Sequence, residues 1–128
     1  MDCGRCHNSG AFTPKPNLET PLAGSDIGFE IPGLGVFYPP NLTPDKKTGL
    51  GDWTDAQVIA AFTQGVRPDG RQLAPSMPWM SYSHISKDDA AALVAYLRTL
   101  PPVEHQVPGP FGVQEKPTAP YMTVKMPE

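Results

Sequence analysis

The sequence predicts a mainly α-helical domain with a small β-hairpin and long loops rich in proline and glycine. Two stretches combine helix-capping residues with apolar residues at helical spacing. The chain holds 17 prolines and 12 glycines among 128 residues, so extended and turning segments should outnumber regular elements. Two cysteines followed by a histidine stand near the start of the chain, and we expect the small core to form around a group bound there.

That first motif is Cys3-Gly4-Arg5-Cys6-His7. The pattern C-x-x-C-H attaches a c-type haem. Its spacing lets the two thiols reach the two vinyl groups on one edge of the porphyrin as thioethers, and the histidine is then held under the iron as its proximal ligand. The motif therefore predicts one covalently attached haem c, bound through Cys3, Cys6 and His7.

Two other kinds of site use a C-x-x-C pair. A closed zinc site needs four ligands, and the remaining histidines, His84 and His105, are not a second pair at zinc-finger spacing. A thioredoxin-like dithiol should end a strand in a βαβ unit, but nothing strand-like precedes Cys3. Because haem attachment also uses both cysteines of the chain, it is the interpretation we favour.

Length and charge narrow the function further. At 128 residues the chain is one domain with a modest core, and a bound macrocycle would supply much of the missing apolar volume. A formal charge of −3 and a pI near 5.5 argue against nucleic acid and favour partners with basic or mixed patches. No apolar run approaches membrane-spanning length, so any membrane association should be indirect.

After a proline-rich loop, a small hairpin is predicted. The segments Gly28–Ile31 and Gly35–Tyr38 carry β-branched and aromatic residues on either side of a Pro-Gly-Leu turn. Phe29, Val36 and Phe37 either lie along a porphyrin edge or form an ordinary apolar cluster, and the sequence does not decide between the two.

Two helices follow. Thr54 and Gln57 form a capping box, which predicts a helix over 54–64 that a glycine ends. Ser86 opens the second helix with acidic residues in its first turn, and Pro101 ends it. The apolar positions on one face of this second helix are core candidates: Ala90, Leu93, Val94, Leu97 and Leu100.

Between the helices, Met77 lies in a stretch flanked by two prolines that stiffen the backbone. A thioether is a soft neutral ligand that suits ferrous haem and raises its reduction potential. Met77 is therefore the predicted sixth ligand of the iron, with Met80 and then His84 as alternatives. Without the haem motif, both methionines would be ordinary core fillers.

The ordered motifs resemble a class I c-type cytochrome domain, most closely the haem domains in cytochrome subunits of membrane-bound alcohol, gluconate and similar dehydrogenases. The resemblance covers about residues 3–103. After C-x-x-C-H, the motifs that carry it are Pro-Asn-Leu-Thr-Pro-Asp, Thr-Gly-Leu-Gly-Asp-Trp-Thr-Asp, Gly-Val-Arg-Pro-Asp-Gly-Arg, Met-Pro-Trp and Asp-Asp-x-x-x-Leu-x-x-Tyr-Leu-x-x-Leu-Pro-Pro.

The resemblance implies a cytochrome c-like fold around one haem, with His7 proximal and Met77 distal. It also implies that the Pro-Asn-Leu-Thr-Pro-Asp loop and Trp53 pack beside the haem. Trp53, Arg67 and Arg71 are then the candidates to donate a hydrogen bond to a propionate, and the sequence does not choose among them.

Two departures from the family pattern stand out. Class I domains begin with a helix that runs into the haem motif and crosses the final helix; here we expect that helix to be missing and the crossing to be weakened. The resemblance also involves subunits with several haem domains and a membrane anchor, whereas this sequence has one motif and no anchor. We expect residues 1–103 to form the cytochrome domain, the last of a longer protein or a single-haem relative, and 104–128 to form an extended tail with His105 facing solvent.

The function implied is transfer of one electron at a time between a periplasmic dehydrogenase and the respiratory chain, through a quinone, another cytochrome or an oxidase. With both axial positions filled, the domain would not be an enzyme.

The alternatives are a five-coordinate haem enzyme or gas sensor, and a haem-free zinc or dithiol module. Haem is attached to such motifs outside the cytoplasm, so we expect an export segment that this sequence lacks, either because it is a fragment or because its first methionine is miscalled.

Overall fold

The computed structural model describes residues 1–128. The chain divides into two compact units. Unit 1 comprises Met1–Leu42 and His105–Glu128, and unit 2 comprises Thr43–Glu104. The division predicted at residue 103 between domain and tail stays a prediction. None of the helices has the length and hydrophobicity that a membrane-spanning helix needs.

Unit 1 contains a short helix and a small sheet. Helix α1 is Gly4–His7, and the strands are β1 (Gly28–Ile31), β2 (Gly35–Phe37) and β3 (Tyr121–Met122). The order in the sheet is β2-β1-β3, with β2 antiparallel and β3 parallel to β1. The predicted hairpin is therefore confirmed, whereas the third strand was not predicted.

The hairpin is closed by a second stretch of backbone from the tail. Val36 and Phe111 exchange both of their backbone hydrogen bonds, at 2.8 and 2.9 Å. The backbone at Gly35 has φ of +127°, and a Cβ there would collide with the Phe111 carbonyl, so only glycine fits. Val36 is 5 % exposed and packs with Tyr38 and Val107, which for this residue supports the apolar-cluster alternative.

Unit 2 contains the two predicted helices. Helix α2 is Asp55–Gln64, and both hydrogen bonds of its capping box form. Helix α3 is Lys87–Thr99, and the Ser86 side chain caps its first turn. A 3₁₀ helix, Trp79–Tyr82, was not predicted, and α2 packs against both it and α3. The core candidates of α3 are largely confirmed: Ala90, Val94, Leu97 and Leu100 are buried, and Leu93 is partly buried.

The regular elements are thus three helices, one 3₁₀ turn and a three-stranded sheet, joined by long loops. This agrees with the predicted fold class of helices, a small hairpin and loops. The predicted absence of a helix leading into the motif stays a prediction.

Thr54→Ala should lower the free energy of unfolding by about 1 kcal/mol, because it removes the side-chain acceptor for the Gln57 N–H at the start of α2. Chemical denaturation followed by circular dichroism measures this change. Thr54→Ser keeps the hydroxyl and is the matched control. An unchanged stability in the alanine variant would contradict the role of the cap.

Candidate functional site

One helical turn holds the two cysteines and the histidine of the first motif. The Cys3 carbonyl accepts hydrogen bonds from the backbone N–H groups of Cys6 (3.2 Å) and His7 (2.9 Å). Residues three positions apart on a helix share a face, so the two thiols lie side by side. Both are free and partly buried. The arrangement suits two thioether bonds to neighbouring vinyl groups.

The electrostatics of the two thiols do not favour a redox dithiol. Burial raises the pKa of Cys3 and of Cys6, and Asp2 adds a smaller upward contribution to each. A thioredoxin-like nucleophile instead needs a lowered thiol pKa. The structure also brings together no group of three or more His, Cys, Asp or Glu side chains that could hold a metal ion.

His7 has one ring nitrogen bonded and the other without a partner. It is only 7 % exposed, and its Nδ1 lies 2.8 Å from the Pro40 carbonyl. A carbonyl only accepts, so Nδ1 carries the hydrogen and Nε2 keeps its lone pair. Burial lowers the pKa of His7, which keeps the ring neutral, and Nε2 has no hydrogen-bond partner in the protein. A neutral imidazole with one nitrogen anchored and the other free fits haem iron.

The backbone of His7 is anchored as well. Its carbonyl accepts from the Gly24 N–H at 2.8 Å. The next residue, Asn8, accepts from the Leu22 N–H at 2.7 Å through its side chain. The loop at residues 22–24 therefore holds the C-terminal end of α1 through hydrogen bonds from its main chain.

The predicted distal ligand belongs to unit 2. The Met77 N–H donates to the Ala74 carbonyl at 3.0 Å, and its own carbonyl accepts from the Trp79 N–H at 2.8 Å, so Met77 lies in a closed turn just before the 3₁₀ helix. Its side chain is partly buried. Met80 is 55 % exposed within the 3₁₀ helix, and His84 is also exposed.

The three candidates for a propionate contact are also in unit 2, and two of them touch. The Arg67 guanidinium lies over the Trp53 ring, 5.4 Å from its centroid. Arg67 Nε is buried without a hydrogen bond, since Asp69 Oδ2 is 3.5 Å away and outside bonding geometry. Burial and the charge of Arg67 lower the pKa of Arg71. Two neighbouring cations, one with an unsatisfied N–H, suit an anionic group.

Sequence reasoning missed Arg98, which positions the loop carrying Trp53. Its guanidinium donates to the carbonyls of Leu50 and Trp53, both at 2.6 Å, and to the Asp55 carboxylate at 3.1 and 3.3 Å. Arg98 lies in the last turn of α3, where a cation is a routine helix-end signal, so nothing local distinguished it.

The structure therefore brings Cys3, Cys6 and His7 together in unit 1, and Trp53 with Arg67 in unit 2. His105 is a correction: the sequence placed it facing solvent, but its Nδ1 donates to the Ala23 carbonyl at 2.6 Å and it is partly buried in unit 1.

Several known proteins have sequences similar to this chain. A family model described as Cytochrome c matches residues 1–101. The fructose dehydrogenase cytochrome subunit of Gluconobacter japonicus is 34 % identical over 120 residues, covering 88 % of this chain and 23 % of its own. The cytochrome c subunit of the quinone-dependent alcohol dehydrogenase of Gluconacetobacter polyoxogenes is 38 % identical over 98 residues, covering 74 % of this chain and 18 % of its own.

A third relative, the gluconate 2-dehydrogenase cytochrome c subunit of Pantoea cypripedii, is 37 % identical over 95 residues, which is 74 % of this chain and 20 % of that protein. The chain thus spans less than a quarter of the length of each of these three relatives.

Asp45, in the Pro-Asn-Leu-Thr-Pro-Asp loop, should stabilise the folded protein only while its carboxyl group is ionised. Its Oδ2 accepts from Thr48 Oγ1 and the Thr48 N–H, both at 2.7 Å, and from the Lys47 N–H at 3.2 Å. The Thr48 bonds lower the pKa of Asp45 in the folded state. Its contribution is therefore present above the unfolded pKa of about 3.9 and is lost as pH falls through the lower folded value.

Denaturant unfolding of the parent protein and of Asp45→Asn from pH 7 to pH 2 tests this. The variant should be less stable at neutral pH, and the difference should shrink below about pH 4. Asp52→Asn is the control, because Asp52 is exposed and outside this network. A difference that stayed constant down to pH 2 would refute the ionic contribution.

Proposed function

Because this chain belongs to the cytochrome c family, we propose that it is a single-haem electron carrier or the electron-transfer part of a dehydrogenase complex. The resemblance to dehydrogenase cytochrome subunits that the sequence indicated is confirmed by the relatives it matches. The family accounts for haem and electron transport. The number of haems, the ligand residues and the partners are our proposals.

The observation that carries the proposal is the state of His7. Its ring is buried and neutral, and Nδ1 is held by the Pro40 carbonyl. Nε2 is free to bind iron, and His7 directly follows Cys6 in α1. Cys3 and Cys6 would hold the porphyrin through thioethers. When bound, the haem supplies the Fe(III)/Fe(II) couple, and the protein contributes the ligands, their orientation and the exclusion of water.

We propose Met77 as the second axial ligand. Three features support it over the alternatives: its backbone is held on both sides by turn hydrogen bonds, the following proline restricts the chain, and its side chain is partly buried. Met80 and His84 are exposed, and neither is followed by a proline. With His7 and Met77 both bound, no coordination position would remain for a substrate, so we infer electron transfer without catalysis.

We propose that Arg67 and Trp53 receive a haem propionate. The buried Nε of Arg67 lacks a hydrogen-bond partner. Arg71 is a second cation close by, and Asp69 is the acidic residue beside both arginines. An anionic propionate would satisfy the free N–H and relieve the repulsion between the two guanidiniums.

The partners follow from the relatives and from the surface. Since the relatives are named as cytochrome subunits of fructose, alcohol and gluconate dehydrogenases, we propose a periplasmic dehydrogenase as donor and a quinone, cytochrome or oxidase of the respiratory chain as acceptor. The loop after His7 exposes Phe12 (52 %) and Leu18 (71 %), apolar side chains suited to a transient protein contact near the haem motif.

Met77→Ala should keep the haem but lose the thioether-to-iron absorption band in the red part of the oxidised spectrum, because the soft sixth ligand is gone. Oxidised and reduced spectra, with pyridine treatment to count haems, measure both properties on protein matured in a periplasm. One c-type haem per chain is expected in the parent protein.

Met80→Ala is the matched control and should retain the band. If the control loses the band and Met77→Ala keeps it, Met80 is the ligand. If the parent protein already binds carbon monoxide in the reduced state and lacks the band, the five-coordinate enzyme or sensor is correct. A colourless matured protein would leave only the zinc or dithiol alternative.

Arg67→Gln should lower the reduction potential, since removing a cation beside the haem stabilises the oxidised, more positive iron. Redox titration followed by visible absorption measures the shift. Lys46→Gln removes the same charge from an exposed position of unit 2 and should change the potential less. Equal shifts in the two variants would show that Arg67 acts only through the net charge.

A further inference from the structure

We infer that His105 is a positioning residue for His7, acting from the C-terminal segment. The inference rests on the proposed function, because it takes His7 as an iron ligand. It concerns two loop segments of unit 1, residues 22–25 and 39–42, which we call the proximal frame.

The proximal frame holds His7 at two points, one from each segment. Gly24 donates its N–H to the His7 carbonyl, and the Pro40 carbonyl accepts from His7 Nδ1, both at 2.8 Å. The segments are joined to each other by backbone hydrogen bonds from Ser25 to Pro39 (3.0 Å) and from Leu42 to Leu22 (2.8 Å). A displacement of either segment therefore reaches His7.

His105 bonds to both segments of the frame. Its Nδ1 donates to the Ala23 carbonyl at 2.6 Å, one residue before the glycine that holds the His7 carbonyl. Its own carbonyl accepts from Asn41 Nδ2 at 3.3 Å, one residue after the proline that holds the His7 ring. Asn41 is 2 % exposed, so this bond is made inside the unit. A single residue of the tail thus braces the two anchors of the proximal ring.

Packing beside these bonds leaves the frame little room to adjust. A Cβ at Gly24 would lie 2.6 Å from Val107 Cγ1 and 3.2 Å from the Pro39 carbonyl, and φ there is +96°. Val107 is 9 % exposed. Val107 of the tail, two positions after His105, therefore packs directly against Gly24, the residue that donates to His7.

The other ring nitrogen of His105 faces a carboxylate. Nε2 lies 3.3 Å from Asp26 Oδ1, in the residue just after the first frame segment. Because Nδ1 is already committed as a donor to Ala23, the ring cannot rotate without losing that bond. The Ala23 bond therefore fixes the neutral ring, and the Asp26 contact becomes an ion pair only when the ring carries both protons.

The bond from His7 Nδ1 to Pro40 determines how strongly the ring donates electrons to iron. A shorter, straighter bond gives the imidazole more anionic character, which stabilises the oxidised iron and lowers the potential. Replacing the His105 side chain removes its bond to Ala23 and leaves the bond from Asn41 to the His105 backbone carbonyl. The frame is then braced at one segment only, and the bond from His7 Nδ1 to Pro40 should lengthen. The expected signs are faster exchange of the His7 Nδ1 proton with solvent and a higher reduction potential.

The experiment uses the full chain with haem attached and compares His105→Ala, His105→Asn and Tyr38→Phe with the parent. The asparagine side chain places an N–H near the position of histidine Nδ1 and should restore the Ala23 bond. Tyr38→Phe removes another bond to the tail, from Tyr38 Oη to the Ala119 carbonyl at 2.7 Å, and controls for general loosening of unit 1. Exchange of the His7 Nδ1 proton is read by NMR, and the potential by redox titration.

In His105→Ala the exchange rate should rise about five- to tenfold, as expected for the loss of one hydrogen bond, and the potential should rise. His105→Asn should return both towards the parent values, and Tyr38→Phe should leave both unchanged. If His105→Ala fails to fold, His105→Gln replaces it, because its amide lies one bond too far along for Nδ1 and should show the same two changes.

Unchanged exchange and potential in the alanine or glutamine variant would overturn the inference. So would equal changes in Tyr38→Phe, since these would show that any loosening of the tail has the same effect. The haem count is taken first on the parent protein: no haem would refute the proposed function, and this inference with it, whereas a normal count with unmoved His7 signals refutes the positioning role alone.

Discussion

The hydrogen bond from His7 Nδ1 to the Pro40 carbonyl is the interaction on which the candidate site depends. A buried histidine without a partner would be costly, and one bonded through both nitrogens could not bind metal. Bonding at Nδ1 alone satisfies the burial and leaves the other nitrogen available. Because residue 39 is also a proline, the backbone that supplies the acceptor has little freedom to move away. The His7 ring is thus oriented by a backbone carbonyl in a segment that two consecutive prolines stiffen.

Unit 2 depends on a different interaction, a partly buried guanidinium that makes several hydrogen bonds. Arg98 satisfies two carbonyls of the loop before α2 and the first acidic residue of that helix, so α3 and the loop are fixed to each other through one side chain. The carbonyl bonds matter more than the ion pair with Asp55, whose carboxylate is 73 % exposed and largely screened by water. The loop held in this way is the one that carries Trp53.

The parts of this structure that could be predicted are those with local causes. Thr54 and Gln57 cap α2 through hydrogen bonds to each other's backbone N–H groups, and the two residues are only three positions apart in the sequence. The hairpin follows from a turn between two β-forming segments, and the haem motif from a fixed spacing of thiols. The 3₁₀ helix was missed because its four residues are too few to show a periodicity, and the proline before it favoured an extended reading.

Long-range contacts account for the other failures. Strand β3 has two residues, and only the neighbouring β1 gives them a partner. His105 was expected in solvent because a proline-rich segment without periodicity offers no signal of what it covers, yet its partners are Ala23, Asp26 and Asn41, at least 64 positions away along the chain. Arg98 likewise finds its acceptors more than 40 positions earlier. Such pairings are decided by the folded arrangement, and a local pattern does not encode them.

The tail's hydrogen bonds to Ala23, Tyr38 and Glu30 span 82, 81 and 93 positions along the sequence. A ribosome delivers the haem motif before unit 2 and these closing residues after it, so unit 1 begins before unit 2 and is completed after it. Loop closure over such separations is slow compared with the formation of capped helices such as α2 and α3. During synthesis, the surroundings of His7 therefore stay open while unit 2 can already form, and the two thiols remain accessible in that interval.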